Sequence, residues 1–147
     1  MGELEGYLIV ETRADRPGLV RVLGAPQAPS PAEIETTDPS RPRICYADFF
    51  PALHVARMHA QTALRHSMVD AEAGLYRTDP VTATAAVDAI DLVHRRLYIA
   101  PEIESDPRLF AQIEKRCKRR RLANRIWMAV GVLAIILLVL FAQIPVF

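Results

Sequence analysis

Apolar and β-branched residues cluster in three short runs over the first fifty positions. Tyr7 to Arg13 reads YLIVETR, Leu19 to Leu23 reads LVRVL, and Arg43 to Ala47 reads RICYA with an alternating character. Such runs bounded by turn residues predict strands. Between the first two lies Ala14-Asp15-Arg16-Pro17-Gly18. Proline presets φ at the first corner of a type II turn, and glycine accepts the positive φ at the second. The pattern therefore predicts a β-hairpin. A lone hairpin is marginal in water, so the third run should complete a three-stranded antiparallel sheet. Residues 24–42, GAPQAPSPAEIETTDPSRP, carry five prolines and predict an extended connection that is neither a helix nor a central strand.

The period then changes to steps of three and four. Phe50, Leu53, Ala56, Ala60, Ala63 or Leu64, Ser67 and Ala71 form one helical face, with Asp48 as a cap, Pro51 in the first turn and Gly74 as the stop. Asp79-Pro80 opens a second helix whose stripe is Val81, Ala85, Ala89, Leu92 or Val93, and Leu97. A loop of about five residues between them predicts an antiparallel helical hairpin. Leu97 to Pro101 reads as an extended exit. Asp106-Pro107 repeats the cap-plus-proline signal, and no breaker follows until Gly131. One helix is predicted from Pro107 to about Gln143. Its last part, Ile126 to Phe147, is charge-free, with Gln143 its only polar side chain. At 1.5 Å per residue it spans about 33 Å, enough for a hydrocarbon core of about 30 Å.

The predicted fold class is thus α+β. A small head, residues 1–105, combines a short antiparallel sheet with a helical hairpin and contains the proline-rich connection 24–42. A basic juxtamembrane helix follows over 106–125, and a C-terminal transmembrane helix over 126–147.

Charge sharpens this division. Residues 1–114 hold 11 arginines and no lysine against 17 acids, a net −6. Residues 115–125 hold seven bases and no acid: Lys115, Arg116, Lys118, Arg119, Arg120, Arg121 and Arg125. A basic collar beside a span marks the cytoplasmic side, so the head is expected in the cytoplasm and the C-terminus at or beyond the far face. The collar and Trp127 are expected to meet anionic lipid head groups and the membrane interface, with Phe141 and Phe147 near the opposite one. A nucleic-acid binder would carry its positive footprint on the folded domain, so no nucleic-acid partner is expected. Ala129, Gly131 and Ala134 do not make a GxxxG pair, but they offer small residues for contact with another span. The absence of ionisable side chains in the span argues against conduction or proton relay through it.

Candidate chemistry is sparse. The segment ETRADRPGLV resembles the DRPGLL signature of ACT regulatory domains over about a dozen residues. That fold places a helix after the motif, where this chain has Gly24, Pro26, Pro29 and Pro31, so ligand binding is not carried over. The histidines are His54, His59, His66 and His94. None stands at the i, i+4 spacing of two helical ligands, and surface histidines beside a core are the simpler reading. Cys45 and Cys117 sit in no ligand motif, and a buried structural thiol is the commoner case for Cys45. Asp88 with Asp91, or Glu102, Glu104 and Asp106, read as a solvated surface. No glycine-rich phosphate loop exists. The N-terminus lacks a signal-peptide pattern, and Gly6 stands where myristoylation prefers Ser or Thr.

These observations predict a non-catalytic, single-pass, tail-anchored accessory, assembly or stabilising subunit of a larger membrane complex. Its partners would be other membrane protein subunits, and no cofactor is expected. The arginine-rich, lysine-free head points to a GC-rich bacterium, hence to a bacterial inner membrane with a respiratory or photosynthetic complex as host. Hydrophobic residues make up 51% of the chain, an apolar surplus expected to surface on so small a head as a partner site. The alternative is a membrane-tethered regulatory or sensory module whose head binds a small ligand or a soluble protein. An enzyme using Cys45 with a neighbouring histidine is the weakest reading.

Overall fold

The computed structural model describes residues 5–143. Its contacts divide into two compact units, residues 1–113 and residues 114–147. The expectations for Phe147 and for the first residues lie outside the described residues.

The first unit is built on six antiparallel strands rather than three. They are β1 (Gly6–Thr12), β2 (Val20–Ala25), β3 (Arg43–Phe50), β4 (Met68–Asp70), β5 (Leu75–Tyr76) and β6 (Arg95–Ile99), in the spatial order β4-β5-β2-β1-β3-β6. The β1–β2 hairpin forms as predicted. Gly18 has φ 78° and the Leu19 amide donates to the Arg16 carbonyl at 3.3 Å, the geometry Pro17-Gly18 encodes. No helix follows the DRPG segment, so the structure keeps the turn and not the ACT-like strand-to-helix junction.

β1 is central and buried on both faces. Leu8 and Val10 join Val20, Val22, Tyr46 and Phe50 in a core with the helices α2 (Leu53–Ala63) and α3 (Pro80–Asp88). Ile9 faces the other way, with Ile44 and Ala47. There the cover includes Ile34 from α1 (Pro31–Ile34), a single helical turn inside the proline-rich connection. The expectation of no helix in 24–42 is corrected here by a local signal. Ser30 and Glu33 form a capping box, with Pro31 at the first helical position.

The helix boundaries differ from the predicted ones for one reason: strands take the ends. Asp48 is no cap and Phe50 no helical position, because β3 runs on to Phe50 and buries both. The first helix stops at Ala63. A 3₁₀ turn, Arg65–Ser67, and the β4–β5 hairpin take up the positions through Ala71 and replace the short loop between the helices. The second helix starts as predicted, with the Thr82 amide donating to the Asp79 carboxylate at 3.2 Å. It ends at Asp88, because Arg95–Ile99 pairs with β3 as an edge strand. Leu97 belongs to that strand, not to a helix. α3 is buried almost all round, through Val81, Ala83, Thr84, Ala85, Ala86 and Val87, as a core helix must be.

Among the described residues, three bulges adjust the sheet: Val69 on β4, opposite the Leu75–Tyr76 step, and two in the ladders of β3. Val10 pairs with Tyr46 and Glu11 with Ile44, so Cys45 is the extra residue on β3. Ala47 pairs with Tyr98 and Asp48 with Arg96, so Leu97 is the extra residue on β6.

After the turn α4 (Pro101–Glu104), the helix α5 (Pro107–Ala142) runs without interruption for 36 residues. The Arg108 amide donates to Asp106 Oδ1 at 2.9 Å, as the cap-plus-proline signal implies. Leu109 is the one buried residue of α5 and joins the main core, with Ile113 partly buried beside it. In the second unit, Lys118 and Glu114 pair at 2.6 Å. α5 is long and apolar enough to cross a membrane, and its most apolar window is wholly exposed. It is the only such helix among the described residues.

The two positive-φ glycines should respond differently to alanine. A Cβ on Gly74 (φ 65°) would lie 2.2 Å from the Val22 carbonyl oxygen, whereas one on Gly18 meets nothing within 4 Å. Gly18→Ala should cost about 1–2 kcal/mol, the left-handed backbone term alone. Gly74→Ala should cost clearly more and break the β2–β5 contact, where the Val22 amide donates to the Gly74 carbonyl at 2.9 Å. Denaturant unfolding of the two variants checks this.

Candidate functional site

The main concentration of buried polar chemistry lies between β3, the end of α3 and β6. β3 supplies Tyr46 and Asp48, both fully buried. α3 ends on Asp88, whose side chain is 11% exposed, and β6 supplies Arg96. His94 precedes β6, its ring 5.4 Å from that of Phe50. The Tyr46 hydroxyl lies 2.7 Å from Asp88 Oδ1 and 2.9 Å from Asp48 Oδ2. Arg96 donates to the same Asp88 oxygen from Nε at 3.2 Å and Nη2 at 2.6 Å. Its guanidinium carbon also lies 5.9 Å from the centre of the Tyr46 ring. His94 Nε2 is 3.8 Å from Asp48 Oδ2.

The electrostatics are uneven across the site. Asp88 has a guanidinium against it, and Asp48 does not. Burial pushes the Asp48 carboxyl above the ordinary carboxylate range, and His94 and the Tyr46 hydroxyl only partly offset this. Burial, with the two carboxylates beside it, pushes the Tyr46 phenol far up, so its hydroxyl stays a donor. That hydroxyl has one proton for two carboxylates. Asp48 Oδ1 and His94 Nδ1 are buried and have no hydrogen-bond partner. Asp48, Asp88 and His94 can each bring one ligand atom within 4.8 Å of the others. The arrangement can store a proton, hold a cation, or stand as a fixed polar network.

Sequence reasoning placed these residues elsewhere. Asp48 was expected as a helix cap, and Asp88 on a solvated surface with Asp91. The fold instead buries Asp48 and draws Asp88 into the cluster. One signal was present: a lone acid inside the apolar run CYADFF, where an unpaired charge is costly. Nothing in the spacing ties it to Asp88 or His94, 40 and 46 positions on.

The other candidates separate. His54 and His59 are exposed, and His66 accepts from its neighbour Arg65 at 3.3 Å. Cys45 lies against the Thr12 hydroxyl at 3.6 Å and the Arg43 carbonyl at 3.7 Å. Burial pushes its thiol up, the opposite of what an activated nucleophile needs. Glu102 pairs with Arg43. Along α5, Lys115, Lys118, Arg119, Arg121, Arg125 and Trp127 are exposed, while Arg116 and Arg120 are half-buried. Ala129, Gly131 and Ala134 are exposed on the apolar part of the same helix. Two core layers take up much of the head's apolar content, while Val55, Met58, Val69, Val93, Leu97 and Phe110 stay exposed on it.

Two measurements follow. A buried acid with a raised pKa holds its proton more tightly folded than unfolded. The Asp48 contribution is therefore most favourable below the unfolded carboxylate pKa and is lost as pH rises through the folded one. Thermal melts in metal-free buffer should show wild type losing stability relative to Asp48→Asn as pH rises above about 4. In a Cys117→Ser background, Cys45 should resist alkylation at neutral pH and react fully once the chain is denatured.

Compared with protein-family models, with curated proteins and with solved structures, the chain matches none, so the reading of this site rests on its own geometry.

Proposed function

We propose that this protein is a non-catalytic, single-pass accessory subunit of a larger membrane complex, with its head on the cytoplasmic side of a bacterial inner membrane. The observation that carries the reading is α5. One unbroken helix begins with Leu109 in the core of the head, continues through seven basic residues and ends in an exposed apolar stretch. The basic residues at 115–125 support a cytoplasmic head by the positive-inside rule. They suit anionic lipid head groups, each contributing about 1 kcal/mol near the surface. Gly131 and Ala134 share one face of the apolar stretch, where a span from another subunit would approach closely. A respiratory or photosynthetic complex or a transporter is the host class this reading favours. The alternative, a membrane-tethered regulatory or sensory module, draws its support from the polar cluster in the head.

An N-terminally tagged chain, solubilised in mild detergent, should migrate on native gels with stoichiometric membrane partners identifiable by mass spectrometry. Migration alone, at monomer or homo-oligomer mass, overturns the subunit assignment. Orientation has its own test at Met58, which is 54% exposed on α2. In a Cys117→Ser background, Met58→Cys should be silent to an impermeant maleimide in intact spheroplasts and react in inverted vesicles.

A further inference from the structure

We propose that Asp48, Asp88 and His94 form a binding site for a single divalent transition-metal ion of borderline softness, such as Zn²⁺. The three come from the middle of β3, the last turn of α3 and the approach to β6, and only the fold brings them together. Their ligand atoms lie within 4.8 Å of one another, so small side-chain movements reach a common centre.

The acids alone would not carry this. The independent observation is what the protein leaves unmade. Asp48 is 0% exposed, and its Oδ1 has no partner. Leaving such an oxygen unpaired away from water is costly. His94 Nδ1 is likewise buried without a partner. The fixed positive charge of the cluster is Arg96, and it is spent on Asp88. Among the described residues, no fixed positive charge touches Asp48, whose ion-pair neighbour is His94.

The surrounding hydrogen bonds prepare the ligands. The Tyr46 hydroxyl lies against Asp48 Oδ2 and Asp88 Oδ1 with one proton to share between them, and Arg96 donates to Asp88 Oδ1 as well. This leaves Asp48 Oδ1 and Asp88 Oδ2 to turn towards an ion. Outer partners that orient ligating carboxylates in this way are regular parts of metal sites. Two carboxylate oxygens and one imidazole nitrogen suit a borderline divalent ion better than Ca²⁺ or Mg²⁺, which take oxygen alone. Three protein ligands leave a coordination position open. Tyr46 and Arg96 are positioning residues in this scheme, and His94, being partly exposed, stands at the entry.

The site goes beyond the anchoring role, and its test does not depend on a membrane partner. The full chain in detergent, stripped with a chelator, is titrated with Zn²⁺ by calorimetry and, separately, with Co²⁺ followed by visible absorption. Wild type should bind a single ion, develop Co²⁺ ligand-field bands and melt at a higher temperature with Zn²⁺ present. His94→Gln should weaken binding by at least about tenfold and lose the Co²⁺ bands. Asp48→Asn should do the same, and the double variant His59→Gln/His66→Gln should bind as wild type. Far-UV circular dichroism confirms that each variant is folded. If wild type binds neither Zn²⁺ nor Co²⁺ at micromolar concentrations, the site does not exist. Binding that survives both His94→Gln and Asp48→Asn in folded protein places the ion elsewhere and overturns the assignment.

Discussion

A strand buried on both faces needs a cover on each, and β1 imposes that requirement on everything around it. Leu8 and Val10 point to one side and Ile9 to the other. Burying each such side chain contributes about 1.5–3 kcal/mol, so neither face can be left wet. On one side the answer is conventional: α2 and α3 lie over the sheet. On the other the chain uses its proline-rich connection. Beyond Ala25, the end of β2, that segment has no ladder of its own, only the capped turn α1 that delivers Ile34. A stretch that composition marks as a linker is thereby part of the core.

The bulge at Cys45 decides what the helices meet. In a regular strand Ile44 and Tyr46 would share a face. One extra residue separates them: Ile44 joins the layer under α1, and Cys45 and Tyr46 join the layer under the helices. Asp48, two residues on, shares the Tyr46 face by ordinary alternation and meets its hydroxyl. A single inserted position thus creates the polar cluster, as bulges beside functional groups often re-aim a side chain. Removing it would send Tyr46 and Asp48 to the opposite face and leave Asp88 with Arg96 alone.

Much of this fold was legible locally. The Pro17-Gly18 turn, the Asp79-Pro80 and Asp106-Pro107 helix starts and the long apolar α5 each depend on neighbours within a few residues. What was not legible is long-range. Residues 64–71 carry a helical stripe, yet Met68–Asp70 pairs with Leu75–Tyr76, which in turn pairs with β2, and pairing outweighs periodicity. The second helix ends early because β6 finds an edge on β3 some fifty residues back. The candidate site was hidden for the same reason. Its members sit at 46, 48, 88, 94 and 96, and only the sheet and α3 together make them neighbours. Asp48 alone left a trace, as an acid set in an apolar run.

The two ends of the sheet carry one last consequence. The β4 edge is three residues long, and the β6 edge is interrupted at Leu97 and opens with Arg95 and Arg96. Neither offers the long, flat, uncharged row of amides and carbonyls on which a second copy could grow. In dilute solution this would matter little. At high local concentration, collisions between copies are frequent. The short and broken edges then keep neighbouring copies from zipping into a continuous ribbon.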